Sequence, residues 1–127
     1  MSDSVVHLDT SFLIRALVPG STADVQLRAW LREGRRLVMT SIAWTEFLCG
    51  PLDATARELA ERIVAERIAY NEQDAECAAA FFNKTGRRRG SLVDCMISAA
   101  AQQRDAPLAT LNPGDFERFE SLGLRMA

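Results

Sequence analysis

Short apolar runs alternate with longer amphipathic segments along this chain. Residues 5–9 form a β-branched and apolar run that ends at an acid, and a helical pattern of apolar positions starts directly after it. Further short apolar runs lie at 37–40 and 107–111. Short strands that alternate with helices are typical of a mainly parallel sheet with helices on both faces. The pattern therefore predicts an α/β fold whose central sheet has about four or five short strands.

Capping and helix-breaking residues mark the ends of these segments. Ser41 and Ser91 stand directly before helical patterns, where N-caps are expected, and Gly34 and Gly50 follow the ends of others. The predicted helices cover residues 10–18, 22–33, 42–49, 53–66, 73–84 and 92–104. The predicted strands cover residues 5–9, 37–40, 67–70, 107–111 and 123–126.

Length and composition indicate one globular domain over residues 1–127. The chain has 127 residues, 48% of them apolar and 25% charged, and single domains commonly contain roughly 100 to 150 residues. Its apolar runs are far shorter than the roughly 20 residues of a membrane helix, and the first residues lack the pattern of a leader peptide. Cys49, Cys77 and Cys95 show no spacing typical of disulfide frameworks or thiolate zinc sites. We therefore expect a cytoplasmic protein with reduced thiols and no membrane segment.

The charge balance excludes a protein that coats nucleic acid through an overall positive field. With 15 basic and 17 acidic residues, the formal net charge is −2. A local basic patch nevertheless lies at Arg87, Arg88 and Arg89, between two glycines and directly before the helix that follows Ser91. Arginine forks suit phosphate groups, so these three residues are candidates for contacts to nucleic-acid phosphates. The alternative is a solvated basic loop.

Four acidic residues follow the predicted strands, at the edge where an open parallel sheet binds its ligands. They are Asp9, Glu46, Asp94 and Asp115. Carboxylates gathered in one place repel one another, and a hard divalent cation with oxygen ligands, Mg²⁺ or Mn²⁺, relieves that repulsion. Such a cation activates water for attack on a phosphate ester. The four acids therefore predict metal-assisted hydrolysis of a phosphodiester.

Each acid also has an ordinary structural explanation. Asp9 can cap a helix, and Asp94 can complete a capping box with Ser91. Glu46 suits an exposed helix position, and Asp115 suits a turn. Together these explanations require four coincidences at one edge of the sheet, whereas a shared site requires one arrangement.

Four sequence motifs resemble those of the PIN-domain family. They are LDTSFLI at 8–14, TSIAWTEF at 40–47, SLVDCMISAAA at 91–101 and LATLNPGDF at 108–116, in that family's order. The motifs extend over nearly the whole chain. Its size, with no appended domain, looks most like the VapC type, the toxin half of bacterial toxin–antitoxin pairs. The resemblance implies a single PIN-like nuclease domain.

The resemblance also implies a Mg²⁺-dependent endoribonuclease, with Mn²⁺ able to substitute. By position, the implied catalytic residues and metal ligands, direct or through water, are Asp9, Glu46, Asp94 and Asp115. The implied supporting residues are Ser11, Thr110 and Asn112. Because the fourth motif varies in the placement of its polar residues, Asp115 and Asn112 stay alternatives for the fourth group of the metal site. Attack by a metal-activated water predicts products with 5′-phosphate and 3′-hydroxyl ends.

Partners follow from the same resemblance. It implies an RNA substrate and a cognate antitoxin that occludes the acidic residues. An antitoxin arginine would match the charge of Asp9 and Asp94. A homodimer is implied as well, and the alanine-rich helices offer a small-residue surface for it.

Other functions fit parts of the sequence. A phosphoryl-accepting signalling domain needs a lysine after a late strand, whereas Lys84, the single lysine, ends a predicted helix. A phosphatase of the Asp-x-Asp type is excluded because Ser11 follows Asp9 at the second position. A catalytically idle binding module of the same fold and a housekeeping nuclease of RNA maturation both stay open as alternatives.

Overall fold

The computed structural model describes residues 4–127. Residues 1–3 lie outside the described residues. The predicted domain starts there, and the prediction of no leader peptide partly rests on them. Among residues 4–127, no helix combines the length and the apolar character that a membrane crossing requires.

Four parallel strands form the central sheet, which confirms the predicted α/β architecture. They are β1 (Val5–Leu8), β2 (Arg36–Thr40), β3 (Glu66–Ile68) and β4 (Leu108–Ala109), in the order β3-β2-β1-β4. The register between β1 and β2 places Val6 opposite Leu37. In place of the strand predicted over 123–126, Met126 forms one isolated bridge with Leu108.

Six helices connect the strands, and two 3₁₀ segments follow β4. The helices are α1 (Thr10–Ala16), α2 (Thr22–Arg32), α3 (Ser41–Cys49), α4 (Ala54–Ile63), α5 (Glu72–Lys84) and α6 (Leu92–Gln103), and the 3₁₀ segments are Pro113–Asp115 and Glu117–Leu122. The chain moves outward from β1 to β3 and returns through α5 and α6 to the other side of β1. The carboxyl ends of β1 and β4 therefore meet at the switch point of the sheet, where α/β folds bind ligands.

Both faces of the sheet are buried, which explains why the strands are continuous apolar runs rather than alternating ones. Val6 and Leu37 pack on one face, and Val38 and Leu108 pack on the other. The core continues into the segment after β4, where the Phe119 ring stacks on Phe81 of α5 at 5.3 Å between centroids.

Strand pairing shortens one predicted helix. The pattern predicts a helix over 53–66, whereas α4 ends at Ile63. The cause is a backbone hydrogen bond from the Ala65 amide to the Leu37 carbonyl of β2, at 2.8 Å, which starts β3 at the following residue. Pairing with β2 thus places in a strand residues for which the helical periodicity predicts a continuation of α4.

Two predicted caps differ in the structure. Thr40, rather than Ser41, caps α3, because its hydroxyl accepts a hydrogen bond from the Ala43 amide at 3.0 Å. Ser91 occupies the N-cap position of α6, but its hydroxyl donates to the Arg88 carbonyl at 2.7 Å instead of bonding a helix amide.

Candidate active site

The four predicted acidic residues line one pocket beyond the carboxyl ends of β1 and β4. Asp9 directly follows β1, Glu46 lies on α3, Asp94 lies on the first turn of α6, and Asp115 ends the first 3₁₀ segment. The pocket has a volume of about 280 Å³. Its lining residues are Asp9, Thr10, Ser11, Glu46, Asp94, Asn112, Asp115 and Phe116. We call it the acidic pocket.

Two hydroxyl groups hold the buried carboxylate of Asp9. Ser11 Oγ and Thr110 Oγ1 each donate a hydrogen bond to Asp9 Oδ2 at 2.8 Å. Asp9 has the N-cap position of α1, yet its side chain accepts no hydrogen bond from a helix amide. Within the described residues no group donates to Oδ1. Asp9 therefore presents a carboxylate oxygen at the pocket rather than serving as a helix cap.

The chain after β4 supports both hydroxyl groups. The Leu111 amide donates to Ser11 Oγ at 3.2 Å, and the Asn112 amide donates to Thr110 Oγ1 at 3.0 Å. The two hydroxyl oxygens lie 3.2 Å apart. This network joins the end of β1 to the end of β4 and orients Asp9.

Glu46 is linked to the same strand end through Thr10. Thr10 Oγ1 donates to the Ala43 carbonyl at 2.8 Å and to Glu46 Oε1 at 3.3 Å. Glu46 is exposed, as the ordinary explanation for it predicted. Burial of its carboxylate and the nearby charge of Asp9 nevertheless raise its pKa, against the hydrogen bond from Thr10.

Asp94 is an acid of the pocket with a strongly raised pKa. Burial, followed by the charges of Asp115 and Asp9, raises the pKa of Asp94 to about 6, against the opposing charge of Arg118. No capping box forms with Ser91, and no described cation forms an ion pair with the Asp94 carboxylate. The pocket therefore concentrates negative charge that its own residues do not neutralise.

Both candidates for the fourth group, Asp115 and Asn112, lie at the pocket. Each is exposed, and the Asp115 amide donates to the Asn112 carbonyl at 3.0 Å within one short turn. The structure thus places both side chains at the same wall.

The donor set of the acidic pocket fits a hard divalent cation. Its described lining residues include four carboxylates and the Asn112 amide but no lysine or arginine. Among residues 4–127, no three His, Cys, Asp or Glu side chains form a ready-made metal-binding group. The pocket volume of about 280 Å³ corresponds to about nine water molecules. These properties suit Mg²⁺, which keeps several of its waters when it binds carboxylates.

The sequence that forms these elements matches the model of a known domain family. A sequence model of the PIN domain matches residues 6–122. The chain belongs to the PIN-domain family. The match confirms the resemblance indicated by the four motifs. A comparison with curated proteins finds no match.

Solved structures of toxin–antitoxin complexes resemble this PIN domain. It is 15% identical to a chain of VapBC2 from Rickettsia felis bound to a promoter DNA fragment, with 97% of both chains covered and a TM-score of 0.76. It is 22% identical to a chain of DNA-bound VapBC from Salmonella typhimurium, with 98% of both chains covered and a TM-score of 0.72. A toxin–antitoxin complex from Klebsiella pneumoniae gives 25% identity over 87% of this chain and 89% of that chain, with a TM-score of 0.66. The first two identities establish a shared fold alone.

A second depression adjoins the acidic pocket of this PIN domain. It has a volume of about 150 Å³ and is lined by Arg88, Arg89, Gly90, Ser91, Asp94, Asp115 and Arg118. Asp94 and Asp115 line both depressions. We call the second one the arginine pocket.

The three predicted arginines separate in the structure. Arg88 and Arg89 line the arginine pocket. Arg87 instead donates from Nη1 to Asn83 Oδ1 at 2.6 Å, and its guanidinium lies 5.7 Å from the centre of the Phe82 ring. The Arg87 side chain therefore packs on α5.

Sequence reasoning missed Arg118. Its guanidinium lies 4.4 Å from the centre of the Phe119 ring, and Nη1 donates to the Asp115 carbonyl. The available signal is its position three residues after the fourth acid, within the same stretch of 3₁₀ turns.

Proposed function

We propose that this PIN domain is a Mg²⁺-dependent endoribonuclease and the toxin of a toxin–antitoxin pair, with Mn²⁺ able to substitute. The acidic pocket carries the proposal. It brings together four carboxylates, two of them with raised pKa values, and no described basic residue lines it. Such a site attracts a hard divalent cation. We propose the cytoplasm as the place of action.

Asp9 and Asp94 are the proposed direct ligands of Mg²⁺, and Glu46 and Asp115 act directly or through water. Asp9 keeps Oδ1 available because Ser11 and Thr110 both bond to Oδ2. When bound, Mg²⁺ supplies Lewis-acid polarisation of a phosphodiester and activation of water. The hydroxyl network around Asp9 supports metal binding by keeping this carboxylate in one orientation.

Water is the proposed nucleophile. The Ser11 hydroxyl donates to Asp9 and accepts from the Leu111 amide, and in this proposal it orients the Asp9 carboxylate. No histidine or cysteine is among the described residues of the acidic pocket. Attack by water on phosphorus releases the 3′ oxygen, so the RNA products carry 5′-phosphate and 3′-hydroxyl ends.

Cleavage of total cellular RNA by the purified protein tests the nuclease. We expect cuts in Mg²⁺ or Mn²⁺ and none in EDTA. Asp9→Asn and Asp94→Asn should reduce the rate at least 100-fold, since even residues that only support a metal site cost about 10- to 100-fold. Glu58→Gln, which removes one exposed carboxylate on α4, is the matched control and should cut like the parent.

The same experiment separates the alternatives. Recovery of 2′,3′-cyclic phosphate ends would contradict attack by water. If the parent cuts nothing and calorimetry detects no binding of Mg²⁺, the nuclease proposal is wrong and the idle binding module replaces it.

An antitoxin partner and a homodimer complete the proposal. The similar solved structures include toxin–antitoxin complexes. An apolar depression of about 200 Å³ between α1, α2 and α4, where Leu31 and Leu59 are exposed, offers a partner helix a surface. The unneutralised charge of Asp9 and Asp94 would accept an antitoxin arginine.

Co-expression tests these partners. The chain is expressed with the protein encoded beside its gene, and we expect the two proteins to co-purify and RNA cleavage to fall. Sedimentation of the isolated chain should give the mass of two copies. A monomer would contradict the homodimer, and cleavage unaffected by the neighbouring protein would contradict the antitoxin.

A further inference from the structure

We propose that Arg88, Arg89 and Arg118 form a subsite for one RNA phosphate, adjacent along the strand to the phosphate that is cut. The inference rests on the proposed nuclease function and assigns a ligand to the arginine pocket. It also divides the predicted arginine loop, because Arg87 lies outside this subsite.

The three arginines of the subsite have no carboxylate partners. Elsewhere in the protein, Arg104 Nη1 lies 2.8 Å from a carboxylate oxygen of Asp74, and several other arginines are paired as well. Within the described residues, no ion pair involves Arg88, Arg89 or Arg118. Asp94 and Asp115 line the same depression, and the Arg118 charge lowers the pKa of Asp94, but none of the three guanidinium groups forms a close ion pair there. Three such groups around one depression form a site for an anion, since arginine forks bind phosphate with high specificity.

Packing restrains the Arg118 guanidinium before any ligand binds. Its plane lies over the Phe119 ring, and Nη1 is used by the Asp115 carbonyl. Nε is buried without a hydrogen-bond partner. Arg118 is thus a rigid donor, whereas Arg88 and Arg89 are exposed.

The start of α6 adds positive potential to the same depression. Ser91 lines it, and the Ser91 hydroxyl bonds to the Arg88 carbonyl rather than to an amide of the helix. The first amides of this 12-residue helix therefore have no side-chain cap. Uncapped helix N-termini favour anions, and phosphate most of all. The hydrogen bond from the Ser91 hydroxyl to the Arg88 carbonyl also holds the loop of Arg87, Arg88 and Arg89 against the start of α6.

Position favours a phosphate next to the cut site. The depression, of about 150 Å³, has room for one phosphate group. The arginine pocket shares Asp94 and Asp115 with the acidic pocket, so a strand that occupies both places consecutive phosphates in them.

RNA binding measured in an Asp9→Asn background tests the subsite without cleavage. The probe is a fluorescein-labelled single-stranded RNA of mixed sequence, followed by fluorescence anisotropy in Mg²⁺ over a series of salt concentrations. Arg88→Ala with Arg89→Ala should weaken binding about tenfold. The slope of log affinity against log salt should fall by about 0.7, the value for one phosphate of a single strand. A fall of about 1.4 would mean two separate phosphates and would overturn the single-phosphate subsite.

Two further variants separate geometry from charge. Arg118→Lys keeps the charge but loses the planar fork, so affinity should fall severalfold while the salt slope stays unchanged. Arg87→Ala removes one charge from the same loop and should change affinity less than twofold. Arg32→Ala, on α2, is the control for loss of a distant positive charge, and melting curves check that Arg118→Lys is folded.

The outcomes distinguish this proposal from the nuclease proposal. If the parent cuts RNA but the double variant and Arg118→Lys bind RNA like Arg32→Ala, the subsite is wrong and the nuclease stands. If Arg87→Ala weakens binding as much as the double variant, the loop acts by overall charge and the subsite is again wrong. If the parent does not cut RNA and the Asp9→Asn background does not bind it, both proposals fall.

Discussion

One carboxylate lies near each end of α6, Asp74 of α5 beside its C-terminal end and Asp94 on its first turn, and the two are in opposite electrostatic settings. At its C-terminal end, Arg104 donates from Nη1 and Nη2 to the two oxygens of the buried Asp74, at 2.8 and 3.1 Å. Burial alone would raise the pKa of Asp74, but the hydrogen bonds from Arg104 and the Asn71 amide, together with the Arg104 charge, lower it. At the N-terminal end, Asp94 has no such hydrogen-bonded partner among the described residues, and burial with the charges of Asp115 and Asp9 raises its pKa to about 6, against the charge of Arg118.

This difference distinguishes a structural acid from a functional one. The counter-charge of Asp74 is Arg104 of the same chain, so Asp74 does not require a ligand to neutralise it. The acidic pocket leaves its negative charge for a ligand to neutralise. A carboxylate with a raised pKa, gathered with others in a pocket, is therefore a better indicator of a metal site than an acid that is merely buried.

The largest expected effect comes from removing the counter-charge of Asp74. Arg104→Met should lower the free energy of unfolding by about 3–5 kcal/mol, because a buried carboxylate is left unpaired. Urea unfolding measures the change. The double variant with Asp74→Asn should recover part of the loss, since no charge then stays buried. A loss below about 1 kcal/mol would mean that Asp74 needs no partner and would remove the contrast.

Binding of Mg²⁺ near Asp94, at the N-terminal end of α6, should raise the free energy of unfolding. We expect this gain to be smaller than the loss in Arg104→Met. At a concentration near 100 times its dissociation constant, we expect a gain of about 2.7 kcal/mol, seen as a rise in melting temperature that EDTA reverses. Glu58→Gln should show the same rise and Asp94→Asn a much smaller one. An equal rise in Asp94→Asn would place the ion elsewhere.

Without metal, the Asp94 carboxylate should destabilise the fold at neutral pH. Its pKa rises from an ordinary 3.8 to about 6, so its favourable contribution is complete below the ordinary value and is lost as pH rises through the folded value. In EDTA, Asp94→Asn should be more stable than the parent by about 1–2 kcal/mol at neutral pH, after allowance for solvent screening. Melting curves over this pH range measure the difference. A variant less stable than the parent would contradict the unneutralised charge.

The smallest expected effect concerns His7, which lies near the Asp74 pair. Burial, then the Arg104 charge, lower the pKa of His7 from 6.5 to about 4, against the charge of Asp74. The stability linked to neutral His7 is present above 6.5 and is lost as pH falls towards 4. Neither ring nitrogen has a hydrogen-bond partner, so His7→Leu should change stability by less than about 1 kcal/mol at neutral pH.

The His7 variant should also flatten the acid side of the stability profile. This slope is opposite in sign to that of Asp94, so it is measured best in the Asp94→Asn background. RNA cleavage by His7→Leu itself should equal that of the parent. An unchanged acid slope would show that His7 is protonated to the same extent in the folded and unfolded chain.

Most of the fold could be predicted because its pattern is local. Apolar runs and helical periodicity depend on residues a few positions apart, and they placed β1, α1 and β2 close to their observed bounds. The predicted helix over 53–66 failed at its end because Ala65 bonds to Leu37 of a neighbouring strand. A partner on another element cannot be read from periodicity.

The residues of the candidate site also divide into those that the sequence predicted and those that it did not. The motifs identified all four acids, because each lies within a short run of residues that is recognisable in the sequence. They did not distinguish Arg87 from Arg88 and Arg89, and they omitted Arg118. Neighbours in sequence can face different elements, as Arg87 does when it packs on α5.

By itself, the sequence determined the order of strands and helices, the family and which acids follow the strands. These properties depend on residue types within short segments. Only the tertiary structure decided which acid is neutralised and which is left charged. Asp9 and Thr110 are 101 residues apart yet share a hydrogen bond, because the sheet order places β4 beside β1. Electrostatic energy depends on distances in space, and those distances exist only once the sheet has formed.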